Sequence, residues 1–191
     1  EYDKAIADFT ATIRIEPNSA DAYFNRGSAY GGTKEHDKAI ADYTEAIRIK
    51  PDIAPHYYER GRAYVRKKEY DKAIADFTAT IRIIPGLANA YDKRGLAYRE
   101  KGENARANAD FAKAKKLIAV EAINKQGFFN IQQQQYDKAI ASFTKANELD
   151  PNNAYALANR GIAYSELKQY DRAIRDFTES IRLNPKDPDA Y

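Results

Sequence analysis

Two histidines are the first residues to consider for chemistry, because imidazole serves both as a metal ligand and as a general base. His36 stands where tyrosine recurs elsewhere in the chain, so we expect it to pack as those tyrosines do. His56 lies next to Tyr57 on a predicted helix. The chain contains no cysteine, which excludes a thiolate metal site and a cysteine nucleophile. We therefore predict no catalytic residue, no metal site and no cofactor.

One segment comes close to a phosphate-binding loop. Residues 27–34 read Gly-Ser-Ala-Tyr-Gly-Gly-Thr-Lys, whereas a phosphate loop ends in Gly-Lys-Ser or Gly-Lys-Thr and leads from a strand into a helix. Here the order of Thr33 and Lys34 is reversed, and the flanking patterns are both helical. We therefore interpret this segment as a helix end and turn.

Composition excludes several classes of protein. The chain has 191 residues, of which 43% are hydrophobic, 31% charged and 12% aromatic, which is typical of globular proteins. A net charge of +3 from 31 basic and 28 acidic residues is too balanced to favour nucleic acid. The longest uncharged apolar run, residues 117–120, is too short to span a membrane. The absence of cysteine fits a reducing compartment such as the cytoplasm, and the absence of methionine suggests a fragment of a longer protein.

An internal repeat organises the whole chain. Its first marker is Tyr-Asp-Lys-Ala-Ile or a related segment, which starts at residues 2, 36, 70, 104, 136 and 170. Its other markers are a glycine at 27, 61, 95, 127 and 161, and a proline at 17, 51, 85, 151 and 185. The period is therefore 34 residues, except for one period of 32 that also lacks its proline.

Each period predicts two helices. In the first helix, Tyr57, Gly61 and Tyr64 share one face at the i, i+4, i+7 spacing, and the second helix continues the pattern from Tyr70. The proline that follows ends the pair. Glycine inside a helix costs about 1 kcal/mol relative to alanine, so its recurrence needs a cause. We expect that the missing side chain lets the second helix approach closely.

These markers resemble the tetratricopeptide repeat family, whose pattern reappears at Tyr57, Gly61, Tyr64, Ala73, Phe77 and Pro85. The resemblance covers nearly the whole chain. It implies an all-α fold, a right-handed superhelical solenoid of antiparallel helix pairs in which the first helix of each pair lines the concave face. It also implies a non-enzymatic scaffold for protein–protein interaction.

The markers divide residues 1–191, interpreted as a single array, as follows: the second helix of a partial repeat at 1–17, complete helix pairs at 20–51, 54–85, 88–119, 120–151 and 154–185, and the start of a further repeat at 188–191. The junction at 117–121 contains neither proline nor glycine. Its two helices are expected either to join tightly or to fuse. The sequence leaves open whether this short unit alters the superhelical twist.

Arginine stands immediately before the repeated glycine, where the family usually has leucine. Arg26, Arg60, Arg94 and Arg160 each have an aspartate 16 residues later. The one unit with Gln126 at this position has Ser142 in place of the aspartate. Since a charge at a packed position needs a partner, we predict that each arginine contacts the aspartate of its own repeat.

The family geometry assigns a set of first-helix residues to a mixed groove. These candidate peptide-binding residues are Phe24, Asn25, Ser28, Tyr58, Glu59, Arg62, Arg66, Asp92, Lys93, Arg99, Asn124, Lys125 and Asn159. Guanidinium groups bind carboxylates in a forked geometry, so a protein or peptide ligand with an acidic group suits this groove. The aromatic residues are expected to anchor an apolar side chain of the ligand.

Five other functions can be compared with the sequence: chaperone binding, glycosyltransferase-type binding, RNA binding, self-assembly and recruitment for an enzyme. The carboxylate clamp of chaperone-binding relatives and the asparagine ladder of glycosyltransferase relatives do not match the residues at the corresponding positions, and RNA binding would favour a more basic chain. A structural spacer or self-assembling array, associating through uncapped ends, remains an alternative. So does a recruitment arm of a larger enzyme.

Overall fold

The computed structural model describes residues 1–185, and within them it has ten α-helices and no strand. The helices are α1 Tyr2–Ile15, α2 Ala20–Gly32, α3 His36–Ile49, α4 Ala54–Arg66, α5 Tyr70–Ile83, α6 Ala88–Glu100, α7 Asn104–Gln132, α8 Tyr136–Leu149, α9 Ala154–Glu166 and α10 Tyr170–Leu183. The predicted all-α repeat fold is confirmed. The predicted start of a further repeat at 188–191 lies outside the described residues.

The helices pack into two compact units. Unit 1 is Glu1–Lys115, and unit 2 is Lys116–Tyr191, of which residues up to 185 are described. In unit 1 the first helices α2 and α4 pack on the second helices α3 and α5, and each second helix also packs on the first helix that follows it. In unit 2, α9 packs between α8 and α10 in the same way.

The repeated glycine allows a phenylalanine ring to lie against the first helix. A Cβ atom on Gly61 would lie 3.0 Å from Cε1 of Phe77, and one on Gly127 would lie 2.7 Å from Cζ of Phe143. Both rings are fully buried in the cores of their units. The prediction that glycine serves close helix approach is therefore confirmed, and a side chain at these positions would have to displace an immobile ring.

A left-handed residue ends each first helix. Lys68 adopts φ 60°, which allows the N–H of Glu69 to donate to the carbonyl of Tyr64 at 2.9 Å. This is the Schellman arrangement that stops a helix and reverses the chain. The other residues with positive φ at the same repeat position are Lys34, Gly102, Gln134 and Lys168.

Each arginine before the glycine bridges two second helices. Arg60 donates through Nε and Nη2 to the two oxygens of Asp76, at 2.8 and 2.7 Å, and through Nη1 to Oγ1 of Thr44 at 3.0 Å. The predicted arginine–aspartate contact is thus confirmed, and the threonine of the preceding repeat is an additional partner. The same arginine bridge forms at Arg26, Arg94 and Arg160.

The unit without this arginine uses an uncharged substitute. Gln126 donates to the side-chain oxygen of Asn130 at 3.2 Å, and Asn130 donates to Oγ of Ser142 at 3.4 Å. Asn130 is buried, and the adjacent Phe129 is exposed. Gln126 and Ser142 are thus linked through Asn130 by hydrogen bonds between uncharged groups.

The helix α7 runs without a break from Asn104 to Gln132. It therefore passes through residues 117–121, where a first helix was expected to follow a second helix. No residue in that stretch has a helix-breaking side chain, so the backbone hydrogen bonds continue. The division into repeats at 119/120 stays a prediction, placed on the residues of one continuous helix.

One histidine lies in the interior of unit 1. His56 replaces the alanine found at the same position in the neighbouring repeats. It is buried, its ring centre lies 5.1 Å from that of Phe24, and its Nδ1 has no hydrogen-bond partner among residues 1–185. Burial lowers the pKa of His56, so the native protein holds this imidazole neutral.

Removing one partner of an arginine bridge should be costly. Asp76 is only 4% exposed. We expect Asp76→Ala to lower the free energy of unfolding by about 2–3 kcal/mol, because the guanidinium of Arg60 would stay largely buried without its carboxylate. Urea unfolding measures the change. The control is Glu45→Ala, which removes the exposed pair with Arg48 and should have little effect. Equal effects of the two substitutions on the free energy of unfolding would show that the arginine bridge contributes no more than an exposed ion pair.

Acid should destabilise unit 1 through His56. An unfolded chain binds a proton on histidine below pH about 6.5, whereas the buried imidazole resists protonation, so the free energy of unfolding should fall as the pH drops below that value. Chemical unfolding at pH 7.5 and 5.5 should show a smaller loss for His56→Ala than for the wild-type chain. The control His36→Tyr should retain the full loss. If wild type and His56→Ala lost the same free energy of unfolding between pH 7.5 and 5.5, the loss would not come from His56.

Candidate functional site

The predicted groove of unit 1 is formed by one face each of α2, α4 and α6. Its aromatic members are partly used by the fold. Phe24 packs against Tyr43, with ring centres 5.7 Å apart, and against His56, while Tyr58 meets the edge of Phe77 at 5.7 Å. Both residues are half-buried. Each of the two rings, Phe24 and Tyr58, therefore packs partly against the core and leaves only its remaining surface for contact with a ligand.

Most of the basic groove residues already have partners in the structure. Nη1 of Arg62 lies 2.9 Å from a carboxylate oxygen of Glu59, and Nζ of Lys93 lies 3.3 Å from one of Asp92. The guanidinium of Arg99 lies 5.7 Å from the ring centre of Phe111. Two of these basic residues, Arg62 and Lys93, are thus paired with acidic residues of their own helices.

Asn25, Ser28 and Arg66 are the exposed groove residues whose side chains the fold of unit 1 uses least. Ser28 donates only to the carbonyl of Phe24 on its own helix, at 3.0 Å. Among the described residues, Arg66 has no ion pair. Asn25 and Arg66 are therefore available to a ligand without the loss of a native interaction. Ser28 also accepts a hydrogen bond from Oη of Tyr43 at 3.3 Å.

A recess of about 420 Å³ opens beside these residues in unit 1. We call it the Gly31 recess. It is lined by Ser28, Gly31 and Gly32 of α2, by His36 and Tyr43 of α3, and by Glu59, Arg62, Ala63 and Arg66 of α4. It therefore brings together four of the predicted groove residues, namely Ser28, Glu59, Arg62 and Arg66. Asp92, Lys93 and Arg99 of α6 lie outside this recess.

Sequence analysis missed the part of the recess formed by Gly31, Gly32, His36 and Tyr43. The available signal was that all four differ from their repeat equivalents. The next repeat has Val65 and Arg66 in place of the two glycines, and phenylalanine recurs in place of Tyr43. Burial raises the pKa of Tyr43, so its phenol stays protonated and can donate a hydrogen bond at neutral pH.

The three candidate residues in unit 2 differ in their surroundings. Asn159 is buried and donates to the carbonyl of Tyr155 at 2.8 Å, so it is used by its own helix. Lys125 is exposed and pairs with Glu121 at 2.6 Å. Oδ1 of Asn124 is buried and has no hydrogen-bond partner in the part of the chain that the structure describes.

Exposed apolar side chains occur at the groove phase of unit 2. Phe128 and Ile162 stand one residue after the repeated glycine, at the position of Ser28 and Arg62 in unit 1. They are 43% and 41% exposed. These two positions of unit 2 are therefore apolar, as is Leu96 at the same position in unit 1, whereas Ser28 and Arg62 are polar.

No arrangement suited to metal chemistry is found within residues 1–185, where no three His, Asp or Glu side chains could share a metal ion. No helix in the described part of the chain is long and apolar enough to cross a membrane.

Family models match much of the chain. Two models described as tetratricopeptide repeat match residues 20–53 and 154–187, and residues 54–86, and a model described as TPR repeat matches residues 131–168. No curated protein matches the chain.

Solved structures share the fold. MamA is 22% identical over 97% of this chain and 90% of its own, with a TM-score of 0.53. YrrB, titled a TPR protein with an unusual peptide-binding site, is 24% identical over 95% of both chains, with a TM-score of 0.53. A chain of the APC/C hetero-tetramer Cut9–Hcn1 is 22% identical over 100% of this chain but only 38% of its own, with a TM-score of 0.56. The repeat period, the glycine–phenylalanine contacts and the family matches lead to one conclusion: the chain belongs to the tetratricopeptide repeat family.

Proposed function

We propose that the chain is a non-enzymatic interaction scaffold that holds a peptide or a partner helix in the groove formed by its first helices. Stacked repeats present an extended concave surface, and proteins of this class bind their ligands there. YrrB is described as having a peptide-binding site, and Cut9 and Hcn1 form a hetero-tetramer, which supports a protein ligand for this chain too.

The observation that carries this proposal is the unequal use of charged side chains in unit 1. The arginines before the glycines are consumed by the fold, each held by an aspartate and a threonine. Arg66, on the groove face of α4, has no such role. A free guanidinium beside an open recess favours a ligand with an acidic group, because charge-assisted hydrogen bonds are stronger than neutral ones.

Reversing the groove charges should abolish ligand binding. A random peptide library displayed on phage selects ligands for the wild-type chain, and synthetic copies are measured by fluorescence anisotropy. The triple variant Arg62→Glu, Arg66→Glu, Lys93→Glu should bind these peptides at least about tenfold more weakly, equivalent to about 1.4 kcal/mol. The control variant replaces Lys4, Lys113 and Lys145 by glutamate. These three lysines are exposed, have no ion pair among the described residues, and lie on the second helices of their repeats, away from the predicted groove. Selection of no peptide, or equal binding by both triple variants, would refute groove binding.

A self-assembling array is the second candidate, and a specific exposure favours it. Tyr170 and Ile174 of α10 are 58% and 62% exposed, whereas the equivalent Tyr70 and Ile74 of α5 pack against a buried cluster that includes Ala97 of the following first helix. Apolar residues that other repeats cover are thus open on α10, and a second copy of the chain could cover them.

Light scattering over a range of concentrations distinguishes this alternative. Self-assembly predicts a mass that rises with concentration and that Ile174→Lys returns to the monomer value. The matched substitution Ile118→Lys, at an exposed isoleucine in the middle of α7, should change nothing. A constant monomer mass in the wild-type chain would reject the array.

A further inference from the structure

The Gly31 recess exists because a side chain is missing at position 31. In the other repeats, the position of Gly31 holds Val65, Arg99, Ile131 or Ser165, and the position of Gly32 holds arginine, glutamate or glutamine. Arg99 shows what such a side chain does, since its guanidinium lies over the ring of Phe111, the equivalent of Tyr43. Glycine at position 31 leaves the corresponding space empty.

The space is open to a modest side chain. A Cβ atom on Gly31 would meet only Oη of Tyr43, at 3.8 Å, which is an ordinary van der Waals separation. This glycine is therefore not required by close packing, in contrast to Gly27 of the same helix, whose Cβ would lie 3.0 Å from Cε1 of Tyr43. Two adjacent glycines at the end of α2 also weaken the helix. The space beside Gly32 is already occupied, since a Cβ atom there would lie 2.5 Å from Cε1 of Tyr2. The opening above the hydroxyl of Tyr43 is therefore due to Gly31.

Hydroxyl groups form the floor of the recess. Tyr43 is buried, and its phenol donates to Oγ of Ser28 at 3.3 Å. In the other repeats this ring is a phenylalanine with no polar atom. The phenol hydrogen can turn from this long bond to a ligand oxygen at small cost. The recess thus has a neutral hydrogen-bond donor at its base.

Guanidinium groups of α4 form one wall. Arg62 and Arg66 are four residues apart and therefore share a helix face. Glu59 holds Arg62 at 2.9 Å, which leaves the charge of Arg66 uncompensated. His36 also lines the recess, at a position where the other second helices mostly begin with tyrosine. The lining therefore has an excess of one positive charge, with several donors around it.

We propose that the Gly31 recess binds a single oxyanion, a carboxylate or phosphoryl group, on one side chain of the peptide that lies in the groove. Arg66 supplies the forked hydrogen bonds and the charge, and Tyr43 supplies a donor from below. This inference rests on the proposed peptide-binding function and adds the position and chemistry of one specificity pocket. Gly31, within the segment that resembles a phosphate loop in sequence, acts here by leaving room for the ligand rather than by offering it backbone N–H groups.

Filling the recess tests the proposal without removing a charge. Gly31→Val introduces the residue that the next repeat has at this position, and the same change at the equivalent position of unit 2, Ser165→Val, is the matched control. Arg66→Gln removes the free charge, and Arg82→Gln, at an exposed arginine of α5 with no ion pair, is its control. Circular dichroism checks that all four variants fold.

The probes are peptides selected by the wild-type chain from the displayed random library. Each is synthesised with the glutamate or aspartate that the selection enriches, with its amide counterpart, and with phosphoserine at the same place. We expect the amide to bind the wild-type chain at least about tenfold more weakly than the acid, as loss of a charge-assisted hydrogen bond predicts. Gly31→Val and Arg66→Gln should bind acid and amide alike, while both controls should keep the preference. Tighter binding of phosphoserine than of the acid identifies a phosphoryl ligand, and weaker binding identifies a carboxylate.

Different failures have different meanings. If peptides are selected and bind but show no acidic preference, or if Gly31→Val and Arg66→Gln keep that preference, the recess proposal is wrong while groove binding stands. If no peptide is selected, peptide binding itself fails, and the recess proposal fails with it.

Discussion

Each arginine bridge meets a demand that helix packing creates. An aspartate such as Asp76, almost fully buried between helices, can remain charged there only if hydrogen bonds replace the water that it has lost. The guanidinium of Arg60 fits both carboxylate oxygens at once and still has one N–H group for Thr44 of the preceding repeat. A slip of one residue between these helices would leave a buried charge unpaired. We infer that the bridges fix the register of the helices, and the phenylalanine rings against the glycines set the spacing.

The bridges also determine what remains for a ligand. A net charge of +3 says little about recognition, because the positive side chains of unit 1 have different surroundings: some form the arginine bridges, some form short ion pairs on the groove face, and others, such as Arg66, have no ion pair among the described residues. Departures from the repeat pattern are therefore more informative than its consensus. Gly31 and Tyr43 break the pattern together, at one place, where Gly31 opens space and Tyr43 adds a polar atom.

Periodicity predicted the fold because every repeat samples the same environment. Close glycine contacts, arginine–aspartate pairs and the bounds of the helices other than α7 could be read from recurrence, and the simultaneous loss of both charges at Gln126 and Ser142 was the most direct sign of pairing. Recurrence could not predict interactions that occur only once in the chain, and it could not predict cavities. The Phe24–His56 contact involves a histidine where other repeats have alanine. The recess is formed jointly by α2, α3 and α4, so no single segment of the sequence predicts it.

The unbroken course of α7 has a consequence for how the chain can change its length. Connections such as that between α3 and α4 are turns, and extra residues there can bulge into water without disturbing either helix. Between residues 117 and 121 there is no such freedom, since every backbone group belongs to the hydrogen-bond ladder. One inserted residue would rotate all later side chains of this helix by about 100°. Evolution and protein engineering alike can therefore lengthen this stretch only in steps that restore the helical phase.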